Sequence, residues 1–86
     1  MKYLVISFKS RTSTMEFSKI LNSRGINSKI INTPSSIGSS CMLSIQTIPV
    51  HYQQVISLIK LVHLQGFLGI YLIEKQGLRQ QTQRLY

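Results

Sequence analysis

Residues 28–49 read SKIINTPSSIGSSCMLSIQTIP, and they decide the fold. Ser28 to Thr33 reads as a short strand that stops before Pro34. Met42-Leu43-Ser44-Ile45-Gln46-Thr47-Ile48 alternates with the period of a half-buried strand. Between them, Thr33 to Met42 is a loop of small residues, and Pro49 afterwards suits the first turn of a helix. Two strands therefore follow one another directly, with helices expected on either side.

Working toward the start, Tyr3 to Phe8 is short, β-branched and aromatic, which predicts a buried strand. Ser13-x-x-Glu16 matches a capping box, with hydroxyl and carboxylate each satisfying a free backbone N–H. Met15, Phe17, Ile20 and Leu21 supply a helical stripe, and Gly25 is a natural stop. Working toward the end, Tyr52, Val55, Ile56, Ile59 and Val62 recur at helical spacing, widened by Leu58 and Leu61 and stopped by Gly66. Phe67 to Ile73 is the last expected strand. Lys75 to Tyr86 is Gln-rich and basic without a buriable face, so residues 75–86 are expected to be a mobile tail beyond a single domain of residues 1–74.

The order β-α-β-β-α-β predicts an α+β ferredoxin-like sandwich: a four-stranded antiparallel sheet with two helices on one face. Leu4, Ile6, Phe8, Leu43, Ile45, Leu68, Ile70 and Leu72 are expected toward the helices. Tyr3, Val5, Phe67, Tyr71 and Ile73 would occupy the other face. That is apolar for an open face, so it predicts a homodimer or partner surface, or a tail folded over it.

The charge narrows the functions available. Ten Lys and Arg stand against two acids, Glu16 and Glu74, giving a formal +8 in 86 residues. Chemistry built on paired carboxylates is nearly excluded, and the charge predicts attraction to an acidic protein surface, nucleic acid or an anionic membrane without choosing among them, nucleic acid not being the favoured partner. No stretch reaches the roughly 20 apolar residues of a membrane span. The opening apolar run is too short for a secretory signal, and a lone thiol fits a reducing compartment, so a cytoplasmic protein is expected.

Cys41 is that lone thiol. It follows Gly38, Ser39 and Ser40, and without a second cysteine any covalent chemistry requires a group brought from outside. Successive N–H groups from Gly38 to Cys41, with the net positive field, would favour the thiolate. The alternative is a small half-buried residue at a strand start. His51 and His63 lie 12 residues apart. That is no zinc spacing and no i, i+4 pair, so no metal is expected. No P-loop, dinucleotide fingerprint or nucleophile triad is present, and no cofactor is expected. Lys75, Arg79 and Arg84 are the candidate polyanion contacts. An RNA recognition motif uses the same element order but wants aromatics on its third strand, and Met42 to Ile48 has none. Tyr3, Phe67 and Tyr71 leave weak single-strand binding as an alternative.

Thr33-Pro34, then Ser39-Ser40-Cys41 before an apolar strand, then a Pro-led helix, resembles the small family of selenium/sulfur carrier-like proteins. Met42 is a departure, standing where glycine is expected. The resemblance implies that Cys41 accepts sulfur or selenium as a persulfide-type group, with Thr33, Pro34, Gly38, Ser39, Ser40 and Met42 forming the loop around it. Donor and acceptor proteins with acidic surfaces would supply the remaining chemistry, so a carrier is expected rather than an independent enzyme. The alternative is a non-catalytic binding module, either a homodimeric regulator or a weak single-stranded nucleic-acid binder.

Overall fold

The computed structural model describes residues 1–37 and 43–86. In chain order the elements are β1 (Lys2–Phe8), α1 (Arg11–Ser23), β2 (Lys29–Asn32), β3 (Leu43–Thr47), α2 (Tyr52–Val62), β4 (Phe67–Gln76) and β5 (Arg79–Arg84). Single 3-10 turns occupy Ser35–Ile37 and Pro49–His51. The strands form one antiparallel sheet in the order β2-β3-β1-β4-β5. No described helix is long and apolar enough to cross a membrane.

The expected four-stranded sheet is corrected to five strands. β4 runs on to Gln76, and Gly77 and Leu78 then form a two-residue hairpin loop closed by Gln76 opposite Arg79. Gly77 has φ +58°, and glycine at the first central position is the type II′ hairpin pattern. Residues 75–86, expected as a tail, thus supply the end of β4 and all of β5.

The cap of helix α1 lies three residues before the expected one. Ser10 is the N-cap, its Oγ accepting from the Ser13 N–H at 3.4 Å. Ser13 therefore lies inside the helix and is buried, and the Ser13–Glu16 capping box does not form. The buried face is Thr14, Phe17, Ser18 and Leu21, while Met15 is 46 % exposed. Positions 15 and 17 lie about 200° apart around a helix, so only one can join the stripe. The end is as expected: the Gly25 N–H donates to Asn22 O and the Ile26 N–H to Leu21 O, the Schellman pattern, with Ile26 buried beside Leu21. Helix α2 instead ends at Val62, with His63 in the left-handed region at φ +48°. Gly66 serves the next turn. Its carbonyl accepts from the Lys9 N–H at 2.6 Å, and a Cβ there would meet Lys9 Cβ at 3.1 Å.

Both helices pack on one face of the sheet. Leu4, Ile6, Phe8, Ile45 and Ile70 from the strands bury with Phe17, Leu21, Val55 and Leu58 from the helices. Phe8 is central, its ring 5.5 Å from Phe17 and 5.7 Å from Phe67. Phe67, expected on the opposite face, packs against this helix-side core. The cause is a register irregularity between Ser7 and Phe8, which pairs Phe8 with Phe67 after Ser7 has paired with Gly69. One extra residue in a ladder switches which side chains face the core. Leu43 and Leu68 are left only half-buried.

The other face, called the back face below, is closed from within the chain. Tyr3, Val5 and Ile73 form a second buried cluster, packed against Ile31, Ile37 and Tyr71. Val5 and Ile73 are 0 % exposed. Ile37 comes from the β2–β3 connection, so a segment of that loop covers the apolar surface expected to meet a partner or the tail.

Candidate functional site: the β2–β3 connection

The connection leaves the sheet at one edge and reaches the strand at the other. Asn32 and Leu43, the last and first residues of β2 and β3, pair with each other. Just past this pair the Thr33 and Ser44 hydroxyls share a hydrogen bond of 2.7 Å, with Ser44 fully buried. Pro34 fixes its own φ, and its carbonyl accepts from the Ile37 N–H at 3.0 Å, closing the turn at Ser35–Ile37. That turn lowers Ile37 onto the back-face cluster.

Ser36 is then held against β5. Its Oγ shares a 2.8 Å hydrogen bond with Thr82 Oγ1, and Gln80 Nε2 donates to it at 3.5 Å. The first half of the connection therefore has three attachments: Thr33 to β3, Ile37 into the apolar cluster, and Ser36 to β5. Of the residues named from sequence, Thr33 and Pro34 lie in this attached half. Gly38, Ser39, Ser40, Cys41 and Met42 lie outside the described residues.

At the root of the connection, the back face is lined with small polar residues. Ser7 on β1 stands between Ser44 on β3 and Gly69 on β4. Its Oγ is buried and, among the described residues, has no hydrogen-bond partner. Nothing in the sequence marked Ser7. Its position in a buried central strand is the one signal that such a hydroxyl would need a partner.

The candidate polyanion contacts do not form one patch. Arg84 lies across Gly69, its Nη2 donating to Leu68 O at 2.9 Å and its Nε to Tyr86 O at 3.1 Å. Lys75 Nζ sits 5.9 Å from the centre of the Tyr3 ring. Arg79 closes the hairpin at the far end of β5 from Arg84. Of the aromatics named as stacking surfaces, Tyr3 is 7 % exposed and Phe67 belongs to the helix side, while Tyr71 is half-buried on the back face.

His51 Nδ1 pairs with Gln54 Oε1 at 3.0 Å, and His63 caps the opposite end of α2. Among the described residues no group of three or more His, Cys, Asp or Glu could hold a metal ion. An open groove of about 420 Å³ between the ends of α1 and α2, lined by Arg24, Ile26, Gln53, Gln54, Ser57 and Leu58, lies on the helix side, away from this connection.

No curated protein and no solved structure matches the chain. A family model does match, over residues 3–71. That span runs from β1 into β4, takes in the whole β2–β3 connection and stops short of β5. With most of its length matched, the chain belongs to the family described as "Putative Se/S carrier protein-like".

Proposed function

We propose that this protein is a sulfur or selenium carrier whose Cys41 receives a sulfane atom from a donor protein and delivers it to an acceptor. The observation that carries the reading is the family match over residues 3–71, which includes the one thiol of the chain. In the proposed step the Cys41 thiolate attacks the terminal sulfur of a donor persulfide. An S–S bond forms to Cys41 as the donor's own S–S bond breaks, and the donor leaves as a thiolate, so no outside oxidant or reductant is needed. Reversal onto an acceptor thiol completes the transfer. A reducing, cytoplasmic setting would keep Cys41 free for it.

The attachments of the connection support this use. Thr33, Ile37 and Ser36 fix where the chain enters the segment ahead of Cys41, which limits the ordering cost of presenting a thiol to a partner. The strand order β2-β3-β1-β4 supports a ferredoxin-like frame, with β5 added outside β4. Net charge of +8 supports donors and acceptors with acidic surfaces.

The test is incubation with a cysteine desulfurase and cysteine, followed by intact-mass measurement. One added sulfur atom, removed by a reductant and absent from the Cys41→Ser protein, is the expected result. Unchanged mass in the wild-type chain after the desulfurase has turned over would sink the proposal.

A further inference from the structure

We propose that the outer edge of β5 docks an extended acidic segment of a partner protein, which joins the sheet as a sixth strand. The backbone makes the edge available. Leu85 N–H donates to Ile70 O at 2.8 Å, while the Lys75 N–H turns away from β5 to donate to Met1 O at 2.8 Å. With Lys75 opposite Gln80 and Gln76 opposite Arg79, residues 79, 81, 83 and 85 bond inward to β4 in the antiparallel alternation. Gln80, Thr82 and Arg84 consequently direct their N–H and C=O groups outward, and among the described residues nothing fills them.

This edge lacks most of the usual protections. Long edges are blunted by Pro, Lys, bulges or shortness. The opposite edge, β2, is four residues long and begins with Lys29. β5 has six residues, RQQTQR, pairs with β4 without a register break, and contains neither Pro nor Lys.

Charge selects the occupant. Arg79 and Arg84 stand at the two ends of β5, which carries no acid, and the chain has a formal +8. A second copy pairing here would bring two such charges together, whereas an acidic strand is attracted along its length. The neighbouring acid, Glu74, is opposite Gln81, and its Oε1 already accepts from Gln76 Nε2 at 3.2 Å. The side chains of Gln80 and Thr82 are engaged with Ser36, so main-chain pairing would supply the contact and arginines the selectivity. The inference does not rest on the thiol chemistry, because none of the contacts it is argued from involves Cys41.

The probes are two capped heptapeptides, one alternating Glu and Val and one alternating Lys and Val, titrated into the isotope-labelled full chain and followed by amide NMR. The expected result is saturable shifts at Gln80, Thr82 and Arg84 with the Glu-Val peptide, undiminished in Cys41→Ser. Gln80→Pro deletes one outward donor and leaves the inward ladder intact, so it should weaken binding where Gln80→Ala does not. Should Gln80→Pro disturb the hairpin, Arg79→Glu serves instead and should lower Glu-Val affinity roughly two- to fivefold, as an exposed charge pair would. Equal binding of both peptides, or no β5 shifts at saturating Glu-Val peptide, would overturn the proposal. Concentration-dependent shifts of the same amides without peptide would overturn it in favour of a second copy.

Discussion

Ser7 and Ser44 face each other on adjacent strands and are both fully buried, yet their hydroxyls have opposite circumstances. Ser44 shares a 2.7 Å bond with Thr33, while Ser7 Oγ has no partner among the described residues. A buried hydroxyl without a bond costs about 1–3 kcal/mol, so removing it relieves that cost, whereas removing one member of a bonded pair creates it. Ser7→Ala is therefore expected to leave the melting temperature unchanged or raise it. Ser44→Ala should destabilise the chain by about 1–2 kcal/mol, since it strands Thr33 where the β2–β3 connection begins. Urea denaturation of both variants checks the contrast. A loss above roughly 1 kcal/mol in Ser7→Ala would mean that this hydroxyl is bonded in solution. None of this was legible in the sequence, because a serine in an apolar strand reads the same whether its partner is present or missing.

At the scale of elements, apolar periodicity carried the reading and its limits explain the misses. Both helices and the first four strands follow from stripes and alternation that burial enforces: Leu4, Ile6 and Phe8 in one direction, Val55 and Leu58 in another. Boundaries depend on hydroxyls, which sequence spacing ranks poorly. Ser10 and Ser13 both precede the helical stripe, and only Ser13 has a glutamate three residues on. The chain nonetheless uses Ser10, which takes Ser13 and Thr14 into the first turn, where both are buried. The expected consequence is that Ser10→Ala costs about 0.5–1 kcal/mol while Glu16→Ala, which removes the acceptor that a capping box needs, changes stability by no more than a few tenths. Chemical denaturation of the two variants decides it, and the reverse ranking would restore the capping box. Phe67 departs from the face its alternation predicts for a related reason: alternation is a property of one strand, and the irregularity at Ser7 and Phe8 exists only between two. Of the candidate site, a small-residue connection after Thr33-Pro34 is legible from composition alone, and residues 38–42 of it lie outside the described residues. The connection's route across the sheet is not legible, because the bond from Ser36 joins residues 46 positions apart.

For the whole molecule the decisive element is β5, which carries no apolar alternation and so gave no strand signal beyond a glycine before it. Its contribution lies in what it closes. β5 pairs with six residues of β4, and it leads into Leu85, which packs on the helix-side core. Tyr52 Oη donates to Leu85 O at 3.1 Å, and the Tyr86 ring lies 5.9 Å from Phe67. Its Thr82 also holds Ser36, and with it the segment whose Ile37 covers Val5 and Ile73. A chain ending at Gln76 loses all of these together. The partly buried leucine, the ring contact and two hydrogen bonds amount to roughly 2–4 kcal/mol. In a domain of this size that lowers Tm by about 10 °C or more. The same deletion turns β4, long and apolar along Phe67 to Ile73, into an open edge beside a loosened back face, and such edges pair with one another. A thermal melt and sedimentation of the shortened chain should therefore show a lower transition and a larger species. If it melts with the full-length chain and sediments at the same mass, residues 77–86 are a solvated tail in solution. The sheet then has the four strands that the apolar pattern alone describes.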